Sequence, residues 1–278
     1  MTAVMLLVTL GVLFVDGRIP AGVPESAPAY APTGFAQVLR AVDARGQVDL
    51  AQLKAEHAKL TAFLASLAVV SPDTRPEDFP SHEARLAYWL NAYHALVLRE
   101  LLDVRGARLP WAARFSRGAS IGGLWLTRFS LERNELQAAG DARVWLALFD
   151  GTRGAGVLDA VPFDGDTLKG QLDDAARRFI RRRGTVRIEG AAVWLHPVFS
   201  ERREDFLAAL PDERKHVLQV VWAFLPEDCS EGVAGCPTRS ELDRVCGPRF
   251  DRCEVRFAER EAALAVKNTF RGAPGKIT

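Results

Sequence analysis

No cysteine occurs in the first 228 residues of this chain of 278. A nucleophilic thiol or a thiolate metal site is therefore excluded from everything but the C-terminal part. An excess of charge of one sign is also missing, with a formal net charge of +1, which argues against a partner such as duplex DNA that needs a basic footprint. There is no repeat period and no low-complexity tract. The glycine-rich loop at 150–156, DGTRGAG, lacks both the Gly-Lys-Ser/Thr of a P-loop and the spacing of a dinucleotide fingerprint. What remains is ordinary globular composition, 48% hydrophobic and 26% charged.

The one long apolar run is AVMLLVTLGVLFV at 3–15. It is too short to span a bilayer comfortably and suits the hydrophobic part of a signal peptide, although no Lys or Arg precedes it. A stretch of Pro, Ala and Ser follows to residue 32 and reads as cleavage region and linker. The expectation is an exported protein (periplasmic, secreted or membrane-anchored), with 1–32 as signal peptide or anchor plus linker and 33–278 as a single globular domain. A buried N-terminal helix or strand is the other reading of the run. Export agrees with Cys229, Cys236, Cys246 and Cys253, an even number in a loop-rich segment at 226–257, read as two disulfides of open connectivity. A four-thiolate zinc site is the competing reading, but the intervening spacings of six, nine and six are wider than the tight ligand pairs of structural zinc sites.

The chain is organised around SHEARLAYWLNAYHALVLRELL, residues 81–102. Leu86, Trp89, Leu90, Tyr93, Val97 and Leu101 recur at helical spacing, and alanines and leucines fill most of the rest. A helix apolar nearly all round is buried. Ser81 is a good N-cap after Pro80, and Glu83 in the first turn suits the helix dipole. Asn91, Tyr93 and His94 are polar groups within this surface and need partners if buried.

Around it, helices are expected at 34–45, from Asp49 to 67, from Ser130 onward, from an Asp166 cap to 183, at 200–209 and at 212–225. Strands are expected at 124–129, at 144–149 (VWLALF, a fully apolar run), in a hairpin over 185–197 turning near Glu189-Gly190, and at 254–257. Three arginines ending the helix at 181–183 suit a helix C-terminus better than a polyanion site. Helices come first and strands mix in later, so the class is α+β, with a helix-rich N-terminal half and a small, mainly antiparallel sheet.

Four segments then carry a family resemblance. Tyr88-Trp89-Leu90-Asn91-Ala92-Tyr93-His94-Ala95-Leu96 is similar to a Trp-Ile-Asn-x-Tyr-Asn-Ala-Leu helix. Phe129-Ser130-Leu131-Glu132-Arg133-Asn134-Glu135-Leu136 is similar to Leu-Ser-Leu-Asp-Asp-Ile-Glu-His. Ala142-Arg143-Val144-Trp145-Leu146-Ala147-Leu148 with its following loop is the third. Gln171-Leu172-Asp173-Asp174-Ala175-Ala176-Arg177-Arg178-Phe179 is the fourth. In this order, over about 80–206, they resemble the domain of unknown function 547 (DUF547) family. The resemblance implies an α+β fold distantly like papain, and thiol chemistry built on a Glu-His pair and a Cys after the third segment.

This sequence departs at those positions. Glu135 matches the family's Glu, but Leu136 stands where the His is expected, and Asp150 stands where the Cys is expected. Leucine cannot transfer a proton, and a carboxylate is a weak acyl nucleophile. The expected function is an exported, catalytically silent domain that binds a small molecule or a protein at the former cleft, lined by Asn91, Tyr93 and Trp145. The alternative is a hydrolase rebuilt on Asp150 and Glu135 as paired carboxylates, with His94 as base. Residue by residue, a core hydrogen bond for His94, a loop or cap role for Asp150 and a solvated or salt-bridged acid for Glu135 are the structural alternatives. No cofactor, metal or nucleic acid is expected, and membrane contact only through an uncleaved N-terminal segment.

Overall fold

The computed structural model describes residues 30, 32–103, 113–211, 215–228 and 237–259. The apolar run at 3–15, its linker, Cys229 and Cys236 lie outside the described residues.

The central helix, α4 (His82–Leu102), starts where the sequence places it. Ser81 Oγ accepts the Ala84 N–H at 3.0 Å, and Glu83 occupies the first turn. Every residue from Leu86 to Leu98 is buried. Each large apolar side chain on such a helix contributes about 1.5–3 kcal/mol by leaving water, so the rest of the fold assembles on it. Short helices α1 (Thr33–Leu39), α2 (Leu50–Ala55) and α3 (His57–Val69) form a layer beside α4. Phe35 of α1 stacks on Phe63 of α3 with centroids 4.6 Å apart. Asp49 caps α2 by accepting from the Ala51 and Gln52 N–H groups, and His57 is exposed at the start of α3.

After the turn of 3-10 helix Pro76–Asp78, α4 and α5 (Ala113–Ser116), a hairpin of β1 (Gly118–Ile121) and β2 (Leu124–Thr127) lies against α3. Its two-residue turn needs positive φ, which Gly122 and Gly123 supply at 56° and 80°. Helix α6 (Arg128–Leu131) then runs into a π-helical turn, Glu132–Leu136. The fold closes with α7 (Val144–Ala147), α8 (Leu168–Arg181), the hairpin β3 (Val186–Glu189) and β4 (Ala192–Leu195), α9 (Val198–Glu201), α10 (Arg203–Ala208), α11 (Val217–Phe224), α12 (Arg239–Cys246) and β5 (Glu254–Phe257). Strand order is β3-β4-β5, antiparallel between β3 and β4 and parallel between β4 and β5. The class is α+β, and of the described strand pairings two are antiparallel and one parallel.

Several local expectations change. The apolar run at 144–149 is not a strand: its first four residues form α7. The N–H groups of Val144, Trp145 and Leu146 donate to the carbonyls of Asp141, Ala142 and Arg143, and Asp141 Oδ1 accepts from the Arg143 N–H. A run that is apolar at every position has no periodicity to separate strand from buried helix, and its Leu and Ala favour the helix. The chain turns extended at Leu148. Ser130 is not an N-cap but the third residue of α6, where it reciprocates Thr127 in a capping box. Phe129 belongs to that helix, not to β2. Thr167, not Asp166, precedes α8, with no side-chain cap. The expected helix at 200–209 is two helices broken at Arg202, and the one at 212–225 begins at Val217 with His216 as its cap. Helix α1 ends at Leu39 because Val42 turns to bridge Val48. Within the cysteine segment, α12 ends at Cys246, which is bonded to Cys253. A disulfide there rules out the four-thiolate zinc reading.

Candidate functional site

Helix geometry turns successive side chains by about 100°, so Asn91, Tyr93 and His94 leave α4 in different directions. Asn91 and His94 meet the segments around 149 and 163, and Tyr93 meets Arg128 and Glu132. Asn91 grips Phe163 like a sheet partner: its amide donates to the Phe163 carbonyl at 2.8 Å, and its Oδ1 accepts the Phe163 N–H at 2.9 Å. The same amide donates to the Tyr30 hydroxyl at 3.1 Å.

His94 is buried and lies against Phe163. Its Nε2 accepts the backbone N–H of Phe149 at 3.1 Å, which places the ring proton on Nδ1. Burial lowers its pKa from 6.5 to about 3, so it is a neutral imidazole at any physiological pH.

Tyr93 enters an ionic network. Its hydroxyl donates to Glu132 Oε1 at 3.1 Å and accepts from Arg128 Nη1 at 3.5 Å. Burial and Glu132 hold that hydroxyl well above the usual tyrosine range, so it stays protonated. Arg128 forms two contacts with Glu100, at 3.0 and 2.9 Å, and both side chains are almost fully buried. Burial works against the Arg128 charge, but Tyr93 and Glu100 outweigh it. Burial likewise pushes the Glu100 carboxyl up, against the pull of Arg128. Glu132 is the second hub: its Oε2 takes Arg114 at 2.5 Å and Arg202 at 2.6 Å. The π-helical turn, closed by the Gln137 N–H on the Glu132 carbonyl, sets this buried acid facing inward. Arg202 lies over the Trp145 ring, 3.8 Å from its centre.

The residues singled out from sequence are thus partly brought together. Arg128 Nη1 donates to the Asp150 carbonyl at 3.3 Å as well as to Tyr93, so Tyr93, His94 and the 149–150 segment meet at one end of the network. The Asp150 carboxylate is turned onto its own loop, accepting from the Thr152 N–H at 2.9 Å and the Thr152 hydroxyl at 2.7 Å. Glu135 is on another side. Burial, and then the Asp73 carboxylate, raise its pKa, and it acts in turn on Tyr88, not on Tyr93. Trp145 reaches the network through Arg202.

Sequence reasoning missed Glu100, Arg128, Glu132, Arg114 and Arg202. One signal was available: Glu100 lies seven residues after Tyr93 in an otherwise buried helix, on the same face, and a buried carboxylate demands a cation. The arginine that answers it, Arg128, comes from α6, and the two that bind Glu132 come from α5 and the α9–α10 break; nothing local marks them.

This set of groups holds charges in place. Arg128 stays protonated, Tyr93 is neutral, and the His94 lone pair is taken. It can bind and orient an anionic group, because Glu132 takes one donor from each of Arg114 and Arg202, whose guanidiniums carry five apiece. Those two are the members that reach solvent, with 37% and 23% of the side chain exposed.

Residues 77–180 match the model of the family described as a protein of unknown function, DUF547. The matched stretch contains α4, the capping box, α7 and nearly all of α8, which are the segments that carry the resemblance in sequence. No curated protein and no solved structure matches the chain. Among the described residues no group of three or more His, Cys, Asp or Glu side chains is placed to hold a metal ion, and no helix is long and apolar enough to cross a membrane.

Proposed function

We propose that this is an exported, catalytically silent relative of the DUF547 domains that binds a ligand bearing an anionic group. The observation that carries this reading is the bond from the Phe149 N–H to His94 Nε2. The one histidine near the former catalytic loop offers no free lone pair, so it cannot accept a proton from a nucleophile. The Asp150 carboxylate, folded onto Thr152, has the role of a loop cap. Arg114 and Arg202 at the solvent edge, with Trp145 behind Arg202, supply donors for a carboxylate or phosphate.

Hydrolase and acyl-transfer profiling of the wild type beside Asp150→Ala tests the silent reading. Neither protein should turn over substrate. Activity in the wild type that vanishes in a folded Asp150→Ala variant would overturn it. One observation favours that alternative, a hydrolase rebuilt on carboxylates: the half-buried Glu135 carboxyl is shifted upward, as a general acid requires. Export is tested by mass spectrometry of the mature N-terminus, where an intact Met1 on a soluble cytoplasmic protein refutes it.

A further inference from the structure

We propose that the Cys246–Cys253 disulfide is a redox clasp: a dithiol reductant opens it at Cys253 and releases β5 from the sheet while the rest of the fold stands. The bond joins two elements of unequal anchorage. On one side α12 is fixed, since Thr238 caps it by accepting the Glu241 N–H and both Leu242 and Cys246 are fully buried. On the other side β5 is lightly held. It lies at the end of the strand order β3-β4-β5 and pairs with β4 in the parallel sense, the slightly weaker pairing per residue. Glu254, Arg256 and Phe257 are exposed and Val255 is half-buried. The ion pair of Glu254 with Arg256 lies within the strand and does not tie it to its neighbour. Its side-chain contacts to the sheet and core are Arg256 over the Trp194 ring, at 5.5 Å, and the packing of Val255.

The loop between the cysteines is strained. Phe250 has a φ of 57°, the one positive value at a non-glycine position among the described residues, in a region that bulky side chains rarely adopt. Its ring stacks on His216 with centres 5.7 Å apart, and the Arg252 N–H donates to the Cys246 carbonyl at 3.1 Å. Once the S–S bond is broken, relief of that strain favours opening. Access decides which sulfur is attacked: Cys246 is buried, whereas Cys253 is partly exposed. The Arg252 side chain lies against Gly247, next to Cys246, since a Cβ there would fall 3.1 Å from its Cδ and Nε. A cation at that place helps Cys246 to leave as thiolate, against the unfavourable C-terminal end of α12. A thiolate of the reductant attacks Cys253 Sγ to form a mixed disulfide, and the S–S electron pair leaves on Cys246 Sγ, which takes up a proton. The second thiol of the reductant then displaces Cys253 as a thiol, and the reductant departs as its own disulfide. What opens is the edge of β4, whose backbone groups lose the β5 ladder.

The test treats the full chain with dithiothreitol under native conditions and follows it by peptide-resolved alkylation and hydrogen exchange. Cys246 and Cys253 should become alkylated together while the α4 amides stay protected. Amides at 254–257 should then exchange about tenfold or more faster, the order expected when a short closed loop loses its link. Cys246→Ser/Cys253→Ser should show the same fast exchange without reductant. A pair that is reduced only when α4 also loses protection would overturn the inference. So would unchanged exchange at 254–257 after reduction, or either cysteine bonded instead to Cys229 or Cys236.

Discussion

The backbone N–H of Phe149 meets Nε2 of His94 across 3.1 Å, tying the middle of the central helix to the segment that ends in Asp150. That bond needs a neutral imidazole, and it makes stability depend on pH. His94 gains a proton near pH 3 when folded and near 6.5 when unfolded. Between these values the unfolded chain holds the extra proton, so the contribution is complete above about pH 6.5 and is lost as pH falls toward 3. At about 1.4 kcal/mol for each tenfold change in proton affinity, the full loss is of order 3–5 kcal/mol. The raised carboxyls of Glu100 and Glu135 work in the opposite direction, so the comparison with a variant isolates the histidine. Urea unfolding at pH 7.5 and 4.5 should show wild type losing clearly more stability at the lower pH than His94→Gln does. The same effect in both proteins would mean that His94 titrates normally.

Glu100 and Arg128 should behave as a unit. Glu100→Ala leaves a buried guanidinium with Tyr93 and a carbonyl as its remaining partners, and should cost about 3–5 kcal/mol. The double variant Glu100→Met/Arg128→Met should cost clearly less than the single change, because no unpaired charge remains. A denaturation double-mutant cycle decides it, and strictly additive effects would remove the coupling from the account.

Asn91 secures the loop before α8. In Asn91→Leu the N–H and carbonyl of Phe163 both lose their partner in a buried setting, a loss of about 2–4 kcal/mol. Hydrogen exchange should quicken first around 160–165, ahead of global unfolding. Unchanged protection there would show that the loop is held by other contacts.

Reduction should destabilise the C-terminal segment. The Cys246–Cys253 bond closes a loop of about eight residues, for which chain entropy gives about 2.5 kcal/mol. Cys246→Ala/Cys253→Ala should lower the melting temperature and reduce its sensitivity to dithiothreitol. Without reductant, alkylation should leave both thiols unmodified in the wild type, and labelling of either would contradict the pair.

The central helix, its Ser81 cap, the β3–β4 hairpin and the last strand were legible because each is fixed by local pattern: continuous apolar spacing, a capping side chain, period-two alternation, a glycine at positive φ. The run at 144–149 was not, since burial on every side erases the periodicity that tells helix from strand. Among the candidate residues, Asn91, Tyr93 and His94 were visible as polar groups in an apolar helix. Nothing local in ERNEL marks Glu132, which the π-helical turn sends inward.

What the sequence determined by itself is the scaffold helix, the family-like order of segments and the presence of Leu136 and Asp150 at their positions, which are properties of residue identity and short-range spacing. Tertiary structure alone decided what the polar residues do. It aimed a backbone N–H at His94, drew arginines from three distant elements onto Glu100 and Glu132, turned the Asp150 carboxylate onto Thr152 and set Glu135 beside Asp73. Charges and hydrogen-bond donors find partners by proximity in space, and pairs such as Glu132 and Arg202, 70 residues apart, meet only after the core has packed.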